Sequence, residues 1–458
     1  MQRPVVILSN RGPLSFHRED DGELVAKRGA GGLVSGLAPL VADTDAMWLA
    51  AAMSDADRAA AAQGVVEAAG LRVRLLDIDA ETHRLAYDVV CNATLWFCFH
   101  GLFDRARSPV IDRRWRDAWQ AYRDVNDAFV TAAAEAAPEG AAILVQDYHL
   151  ALVGRALAQR RPDVRTVYFS HTPFCVADGL RVLPDDVVVE LLEGIAGHHA
   201  VGFHTRRWAD AFKDCCRTYL GRDDATTFVS PLGADPDDLA ATAASDACAI
   251  ERDALSRVVG DRKLLVRVDR IELSKNVLRG LLAYDDLLER HPEWREHVVF
   301  AALLYPSREG LEEYAVYRDE VDALVAKVND RWSTPTWSPI LFDPDDNFPR
   351  SVAALQLADA VLVNPISDGL NLVAKEQALL STRDAALVLS TEAGVWDELR
   401  DAGAIGVNPF DVAATSDALH LALSMPADER RARHEAMREA ALARTPRHWL
   451  ADHLTAAG

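Results

Sequence analysis

The sequence lacks any apolar run near the roughly 20 residues that a bilayer-spanning helix needs, so we expect no membrane segment. We also expect no targeting leader, because a strand-like segment without a preceding basic and apolar region begins directly at Pro4. Basic residues are in deficit: 49 Lys and Arg stand against 70 Asp and Glu, a formal net charge of -21. This balance argues against nucleic acid and anionic membranes as general partners. We therefore expect a cytoplasmic protein whose partners are small molecules.

Cysteine patterns typical of metal sites or disulfide frameworks are missing too. The 6 cysteines contain no C-x-x-C pair, and the adjacent Cys215 and Cys216 are poorly placed to bridge each other. We expect reduced, buried thiols. Since H-E-x-x-H, G-x-S-x-G and the phosphate-loop G-K-S/T are absent, we predict no catalytic metal, no cofactor, no serine nucleophile and no ATPase-type loop.

What the sequence does contain is a series of short apolar runs, each closed by polar or glycine residues and followed by a helix-like segment. Continuous rather than alternating hydrophobicity indicates strands that are covered on both faces, as in a parallel sheet. The pattern predicts a doubly wound α/β fold. The runs are 5–8, 141–145, 166–170, 200–204, 263–268, 298–304, 360–364 and 385–390.

The length of 458 residues exceeds one ordinary core, so we predict two Rossmann-like domains, 1–232 and 233–458. They are separated by segment 230–248, which is rich in small residues, Asp and Pro and reads as a connection. The last helix, at about 437–458, ends in the apolar sequence HWLADHL. We expect this end to pack back on the first domain.

Polar residues follow nearly every predicted strand. Ligands of open α/β sheets bind at the carboxyl ends of the strands, so two such edges predict a cleft between two facing domains. The polar segments are 9–11, 146–149 and 171–174 in the first half, and 269–275, 305–308, 368–369 and 391–394 in the second.

Each of these features has a plainer interpretation. Arg270 and Lys275 fit a surface ion-pair group as well as a pair of cations that hold a diphosphate. The glycine-rich segment 28–37 fits a plain loop as well as a phosphate-binding turn. Asp147 and Asp368 fit helix N-caps. Composition and spacing leave these alternatives open.

The order of the motifs adds a resemblance to a known family. SNRGP (9–13), QDYHL (146–150), HTPF (171–174), DRIELSK (269–275) and DGLNLVAKE (368–376) follow one another along the chain. Together they resemble the trehalose-6-phosphate synthases, which are retaining two-Rossmann (GT-B) glycosyltransferases. These enzymes join nucleotide-activated glucose to glucose 6-phosphate, and the resemblance covers nearly the whole chain.

The resemblance implies donor-binding roles. Gly32 is expected to meet the donor diphosphate through its backbone, and Arg270 and Lys275 to bind that diphosphate and stabilise it as it leaves. His171 and Asp368 are expected to contact the donor glucose, and Glu376 the ribose hydroxyls. The remaining donor-binding positions are Gly369, Leu370, Asn371, Leu372 and Val373, the last three through backbone groups.

For the acceptor, the resemblance implies that Arg11 and Arg308 grip the 6-phosphate, while Tyr87, Trp96 and Asp147 surround its sugar. The implied catalytic set is Arg270, Lys275, His171 and Asp147. The implied chemistry is front-face attack by the acceptor hydroxyl, with retention and without a covalent intermediate.

Four positions depart from the family pattern. Phe97 and Cys175 stand where proline is usual, Gly101 where an aromatic residue is often found, and Asn276 where glycine is usual. Because of these departures, the sequence does not decide between UDP-glucose and GDP-glucose as the donor. A sugar-alcohol phosphate or a cyclitol phosphate is an alternative to glucose 6-phosphate as the acceptor. A non-catalytic sugar-phosphate-binding paralogue is a further alternative, and the sequence does not say whether the chain forms a homo-oligomer.

Overall fold

The computed structural model of the chain describes residues 3–19, 22–29 and 32–458. The chain divides into two compact units: unit 1 is Met1–Leu232 with Pro446–Gly458, and unit 2 is Gly233–Thr445. Both are α/β, as the sequence predicts. Among the described residues, no helix has the length and apolarity needed to cross a bilayer.

Unit 1 is built on an eight-stranded sheet of order β10-β9-β8-β7-β1-β4-β6-β5, with β2 and β3 as a separate antiparallel hairpin. All neighbours in the large sheet are parallel except β5 and β6. The strands are β1 Val5–Ser9, β2 Leu14–Arg18, β3 Leu24–Arg28, β4 Met47–Ala51, β5 Val65–Ala68, β6 Leu71–Leu76, β7 Ala142–Gln146, β8 Arg165–Ser170, β9 Ala200–Phe203 and β10 Thr227–Val229.

The helices of unit 1 cover this sheet, and a π-helix at Leu85–Leu95 joins α3 to α4. Every residue of β7 is buried, which explains its continuous hydrophobicity. The α-helices are α1 Gly32–Val41, α2 Asp55–Ala61, α3 Ala80–Arg84, α4 Trp96–His100, α5 Arg113–Ala136, α6 Val153–Arg160, α7 Asp185–Ala196 and α8 Arg206–Leu220.

Unit 2 holds a six-stranded, fully parallel sheet of order β13-β12-β11-β14-β15-β16. Counted within the unit, this is the order 3-2-1-4-5-6 of the Rossmann fold. The strands are β11 Lys263–Ile271, β12 Val298–Pro306, β13 Ile340–Asp343, β14 Ala360–Val363, β15 Ala386–Ser390 and β16 Ile405–Val407.

The remaining helices belong to unit 2, except the last, which returns to unit 1. They are α9 Pro236–Ala243, α10 Asp246–Val259, α11 Val277–Arg290, α12 Glu312–Trp332, α13 Phe348–Leu357, α14 Val373–Leu380, α15 Trp396–Leu399, α16 Val412–Ser424, α17 Ala427–Leu442 and α18 Pro446–Ala457.

Segment 230–248 is more ordered than the sequence suggests. It contains α9 and the start of α10, and Asp235 caps α9 by accepting from the backbone N–H groups of Asp237 and Asp238. The Asp-Pro pair at this point is an N-cap followed by proline at the first helical position, a strong helix-start signal. The boundary between the two units, Leu232 to Gly233, falls inside this segment, which contains helical structure as well as the connection between the units.

Two strands also run further than predicted. β11 and β12 stay paired as far as Ile271 and Pro306, so Asp269 and Arg270 lie inside the end of β11 rather than after it. The polar side chains do not end the strand, because pairing with β12 keeps the backbone groups of these residues hydrogen-bonded.

The order of the strands reverses at one place in each large sheet. In unit 1 it reverses between β1 and β7, and in unit 2 between β11 and β14. Open α/β sheets bind ligands at the carboxyl ends of the strands beside such reversals. The segments after β1, β7, β11 and β14 carry Arg11, Asp147, Lys275 and Asp368, so the topology places predicted site residues at both reversals.

Candidate active site

At the strand reversal of unit 2, the ammonium of Lys275 donates to Asp368 Oδ2 at 2.5 Å. Both side chains are largely buried, with 13% and 16% of their surfaces exposed. Burial lowers the pKa of Lys275, but Asp368 and Asp269 outweigh it and leave the pKa raised. Lys275 therefore stays charged across the neutral range, as a diphosphate ligand must.

The carboxylate of Glu272 interacts with three cationic residues of the predicted site, Arg270, Arg308 and Lys275. Arg270 Nη1 lies 3.0 Å from its Oε1, and Ser307 Oγ donates to the same oxygen at 3.0 Å. Burial opposes ionisation of this carboxyl group, but the positive charges of these three residues outweigh it and hold the pKa of Glu272 at about 2. Arg270 is the accessible member, with 45% of its side chain exposed.

The side chain of Arg308 contacts the aromatic residue Tyr314. Its Nη1 donates to the Tyr314 hydroxyl, and its guanidinium carbon lies 5.4 Å from the centre of that ring. The backbone of Arg308 has φ +51°, a conformation that L-residues adopt infrequently. Arg308 lies in unit 2 and Arg11 in unit 1, so neither unit alone brings this predicted pair together.

Arg267, which the sequence analysis missed, supports the turn that carries Lys275. Its side chain is fully buried, pairs with Asp269 at 3.0 Å and donates to Asn364 Oδ1 at 2.6 Å and to the carbonyl of Lys275. Gly280 makes room for it, since a Cβ there would lie 2.5 Å from Arg267 Nη1. An arginine inside a strand pattern gave no signal, because neither its burial nor its contact with the distant Asn364 can be read from the strand itself.

The departure at Asn276 has a conformational explanation. The residue has φ +62° and ψ +40°, the left-handed region that glycine enters most easily and asparagine tolerates. Its side-chain amide donates to the carbonyls of Asn364 at 3.0 Å and Pro409 at 2.7 Å. Asparagine therefore replaces glycine without a change of turn and adds hydrogen bonds.

The segment 368–372 is a loop, and α14 begins only at Val373. Asn371, at φ +87°, accepts from the backbone N–H of Ala374 at 3.3 Å and donates to Asp368 Oδ2 at 3.1 Å. The helix-start hydrogen bond is thus made by Asn371, and the N-cap interpretation of Asp368 was wrong. The other predicted donor-binding residues lie in the same segment. Gly369, Leu370 and Leu372 belong to the loop, and Val373 is the first residue of α14.

Glu376 differs from the other carboxylates of unit 2. Burial, and then the charge of Asp238 on α9, raise the pKa of its carboxyl group to about 7. In the described part of the chain, its carboxylate makes no hydrogen bond or ion pair. A carboxylate left without a cation is suited to accept hydrogen bonds from neutral hydroxyl groups.

In unit 1, Tyr87 is the middle of an aromatic stack beside Arg11. Its ring lies 5.6 Å from both His83 and His149, with interplanar angles of 20° and 24°. The guanidinium of the exposed Arg11 lies 5.8 Å from the Tyr87 ring centre. A cation beside a flat ring offers one group for a phosphate and one for a sugar face.

Asp147 has a strained backbone, with φ +69° and ψ +169°. This region is essentially restricted to glycine and costs about 1–3 kcal/mol for other residues. Asp147 Oδ1 accepts from the backbone N–H of His171 at 3.2 Å. Strain of this kind clusters at functional sites, which supports the predicted role over a plain helix cap.

His171 is held as a neutral imidazole. Burial, and then His453, lower its pKa to about 3. Its Nε2 lies 2.9 Å from Gln146 Oε1, which can only accept, so Nε2 carries the proton and Nδ1 keeps its lone pair. Gln146 was not among the predicted site residues, although it directly precedes Asp147 in the matched QDYHL.

Trp96 is 2% exposed and stacks on His100 at 4.3 Å, so it presents little surface to a ligand. Phe97 is buried against Phe103, and Gly101 ends α4 with φ +65°. Cys175 is buried as well. Gly32 is the first residue of α1, and its contact with the donor diphosphate stays a prediction.

One group of potential metal ligands is present in the described residues: His291, Glu293 and His420, whose ligand atoms lie within 4.8 Å of one another. The two imidazoles stack at 3.7 Å with an interplanar angle of 10°, so their in-plane lone pairs do not converge on one point. Trp294 Nε1 also donates to His420 Nδ1 at 3.0 Å. In this arrangement the side chains contact one another, and their ligand atoms are not directed at a common metal ion.

Comparisons with known proteins agree over the whole chain. The model of glycosyltransferase family 20 matches residues 3–457. The trehalose-6-phosphate synthase of Mycolicibacterium vanbaalenii is 32% identical over 477 residues, which covers 98% of this chain and 95% of the relative. The alpha,alpha-trehalose-phosphate synthase (UDP-forming) A of Dictyostelium discoideum is 30% identical over 463 residues, which covers 97% of this chain and 61% of that protein.

A solved structure is similar at the level of the fold and the sequence. It is the alpha,alpha-trehalose-phosphate synthase (UDP-forming) from Burkholderia xenovorans in complex with glucose-6-phosphate. The TM-score is 0.86 at 26% identity, and the match covers 99% of each chain.

Proposed function

Because this chain belongs to glycosyltransferase family 20, the family of the trehalose-6-phosphate synthases, we propose that it transfers glucose from UDP-glucose to glucose 6-phosphate with retention. The product is trehalose 6-phosphate. The relatives from Dictyostelium discoideum and Burkholderia xenovorans are named as UDP-forming, which favours UDP-glucose over GDP-glucose.

The observation that carries the proposal is the group of three cations at the strand ends of unit 2. Arg270, Arg308 and Lys275 all act on the carboxylate of Glu272, and Lys275 also pairs with Asp368. Their charges are already fixed in place by the fold, so a diphosphate meets oriented donors without a large reorganisation. Arg270 keeps 45% of its side chain exposed, so its guanidinium stays accessible to a ligand.

In the proposed reaction, the acceptor hydroxyl attacks the anomeric carbon from the face that the diphosphate leaves. The bond from the anomeric carbon to the diphosphate oxygen breaks, and the acceptor proton passes to that oxygen. Arg270 and Lys275 stabilise the negative charge on the leaving group. The configuration is retained without a covalent bond between the sugar and the protein, which acts by positioning and charge.

The acceptor side of the proposal rests on residues of unit 1 together with Arg308 of unit 2, which also binds the 6-phosphate. Arg11, stacked beside Tyr87, binds the 6-phosphate, while Asp147 orients the attacking hydroxyl. His171 presents its Nδ1 lone pair to the donor glucose, since Gln146 occupies the other ring nitrogen. The proposal includes no metal, because the cations of unit 2 supply the charge that a metal would otherwise provide.

The proposal is tested with purified protein, glucose 6-phosphate and either UDP-glucose or GDP-glucose, with EDTA in every arm. We expect release of UDP and formation of an α,α-linked disaccharide phosphate, identified by NMR. The absence of nucleotide release with both donors would overturn the proposed transfer, and faster release from GDP-glucose would overturn the choice of donor.

Two further arms separate the alternatives. Activity lost in EDTA and restored by a divalent metal would contradict the metal-free reaction. Faster nucleotide release with a glucitol or inositol phosphate than with glucose 6-phosphate would show that this phosphate, rather than glucose 6-phosphate, is the acceptor. Tight donor binding without release, measured by calorimetry, would identify a non-catalytic binding protein.

A further inference from the structure

The apolar end of the chain forms one buried face of α18, which belongs to unit 1. Trp449 and His453 lie four residues apart, one turn along the helix, and both are fully buried. Their rings lie 3.8 Å apart. His453 Nδ1 lies 2.7 Å from the carbonyl of Trp449, so Nδ1 carries the proton and fixes the ring against its own helix.

These two rings pack against the residues around His171. Phe169 lies 5.1 Å from Trp449, 4.8 Å from His453 and 5.0 Å from His171. Trp449 also reaches His171 directly, with ring centres 5.8 Å apart. The end of the chain therefore forms a wall of the pocket that holds this imidazole.

The imidazole of His171 needs such a wall. Among the described residues, its ring has one hydrogen bond, from Nε2 to Gln146, and a single hydrogen bond leaves rotation of the ring about that contact free. Trp449 on one side and His204, with ring centres 5.4 Å from His171, on another restrict that rotation. Aromatic side chains have few rotatable bonds, so ordering them in a packed wall costs little conformational entropy.

We propose that Trp449 is a positioning residue for His171, supported by His453, and that both fix the orientation of the imidazole toward the donor sugar. This inference rests on the proposed function, in which His171 contacts the donor glucose. A low dielectric around the ring is part of the same arrangement, since burial and His453 hold the pKa of His171 at about 3.

The test compares variants of one helix face. Trp449→Leu removes the wall, Trp449→Phe keeps an aromatic ring, and Asp452→Asn is the matched control. Asp452 accepts from Ser230 Oγ at 2.8 Å, so this control weakens the docking of α18 through a contact with Ser230. Unfolding in urea, read by fluorescence and circular dichroism, establishes that each variant is folded at the assay temperature.

We expect Trp449→Leu to lower kcat/KM for the donor by about tenfold or more, because small misplacements of a contacting group are costly. The KM for glucose 6-phosphate should stay near the wild-type value. Trp449→Phe should recover most of the loss, and Asp452→Asn should keep wild-type kinetics despite its lower stability. Wild-type donor kinetics in folded Trp449→Leu, or equal losses in Trp449→Leu and Asp452→Asn, would overturn the inference.

A second measurement does not depend on catalysis. In protein labelled with 15N-histidine, the ring signals of His171, assigned from His171→Gln, report its tautomer and surroundings. We expect them to shift or broaden in Trp449→Leu and to stay in place in Asp452→Asn. Unchanged His171 signals in Trp449→Leu contradict the positioning role, whereas an inactive wild type with these shifts present contradicts the proposed function alone.

Discussion

Lys275 and Asp368 are hydrogen-bonded to each other at 2.5 Å, although the family resemblance gives one to the diphosphate and the other to the glucose. The pair spans the strand reversal of unit 2, because Lys275 follows β11 and Asp368 follows β14. A donor that binds both residues joins an existing ion pair. The carboxylate thus keeps the ammonium oriented before the donor arrives.

Lys275→Ala should lower turnover by at least about a hundredfold, as expected for a charge contact made to the leaving group. The measurement is UDP release at saturating glucose 6-phosphate, with kcat and the donor KM determined separately. Lys263→Ala is the matched control, because Lys263 lies at the other end of β11 and pairs with Asp359 at 2.8 Å. Near-wild-type turnover of Lys275→Ala would show that the leaving group is stabilised by other residues.

The fold was largely predictable from the sequence, since continuous apolar runs identify strands covered on both faces. β7, β14 and β15 are buried along their whole length, and the α/β class with parallel sheets is confirmed. The apolar runs did not predict strands that form through pairing with a neighbour rather than through a continuous apolar sequence. β6, with the half-buried Arg72 and Arg74 at alternate positions, gave no continuous run.

The candidate site was predictable only as far as motifs reach. Strand ends pointed to Lys275 and Asp147, but the roles carried over from the resemblance stay predictions. Arg267 and Trp449 could not be identified as site residues in this way. Their contacts with Asn364 and His171, respectively, join parts of the chain that lie far apart in sequence. Burial of a charged or aromatic side chain is decided by tertiary packing, which no local pattern contains.

The strain at Asp147 predicts an unusual order of stabilities. Asp147→Gly and Asp147→Ala both lose the hydrogen bond to His171, but only glycine adopts φ +69° and ψ +169° without cost. The glycine variant should therefore be more stable than the alanine variant by about 1 kcal/mol or more. Urea unfolding measures the difference, and both variants should be nearly inactive. An alanine variant as stable as the glycine variant would mean that the backbone relaxes.

Asn276→Gly should destabilise the protein even though the residue has a positive φ. Glycine relieves the left-handed backbone but leaves the buried carbonyls of Asn364 and Pro409 without their donor. Loss of these hydrogen bonds should cost about 2 kcal/mol, more than the strain that is relieved. The free energy of unfolding in urea tests this, with Asp43→Gly, at φ +57°, as the control expected to stay near wild type. A gain in stability in Asn276→Gly would contradict the prediction.

His198 should make the protein sensitive to acid. Burial lowers its pKa from 6.5 to about 3, and within the described residues neither of its buried ring nitrogens has a hydrogen-bond partner. Between these pH values the unfolded chain takes up a proton that the folded chain does not, so stability falls as the pH falls below about 6.5. His198→Leu should remove about 2 kcal/mol of the loss between about pH 7.5 and pH 5. Urea unfolding of both proteins at both pH values measures it, and equal acid losses would contradict a neutral His198.

Glu376 should give donor binding its own pH dependence. Its pKa is raised to about 7 by burial and then by Asp238, so the carboxyl group becomes protonated as the pH falls through about 7. A protonated carboxyl accepts fewer hydrogen bonds from ribose hydroxyls, so the donor KM should rise in that direction while the KM for glucose 6-phosphate changes little.

Asp238→Asn removes the neighbouring negative charge and should move the midpoint of this profile to lower pH, because less repulsion opposes ionisation of Glu376. Asp237→Asn changes an exposed carboxylate one residue away on α9 and should leave the midpoint in place. The folded-state pKa lies above the usual value, so this carboxyl favours folding at low pH and that contribution disappears as the pH rises through about 7. Stability and donor affinity should therefore respond to Glu376 in opposite directions, which a general acid effect on the fold would not produce. A donor KM that is flat between about pH 6 and pH 8 would remove Glu376 from the ribose site.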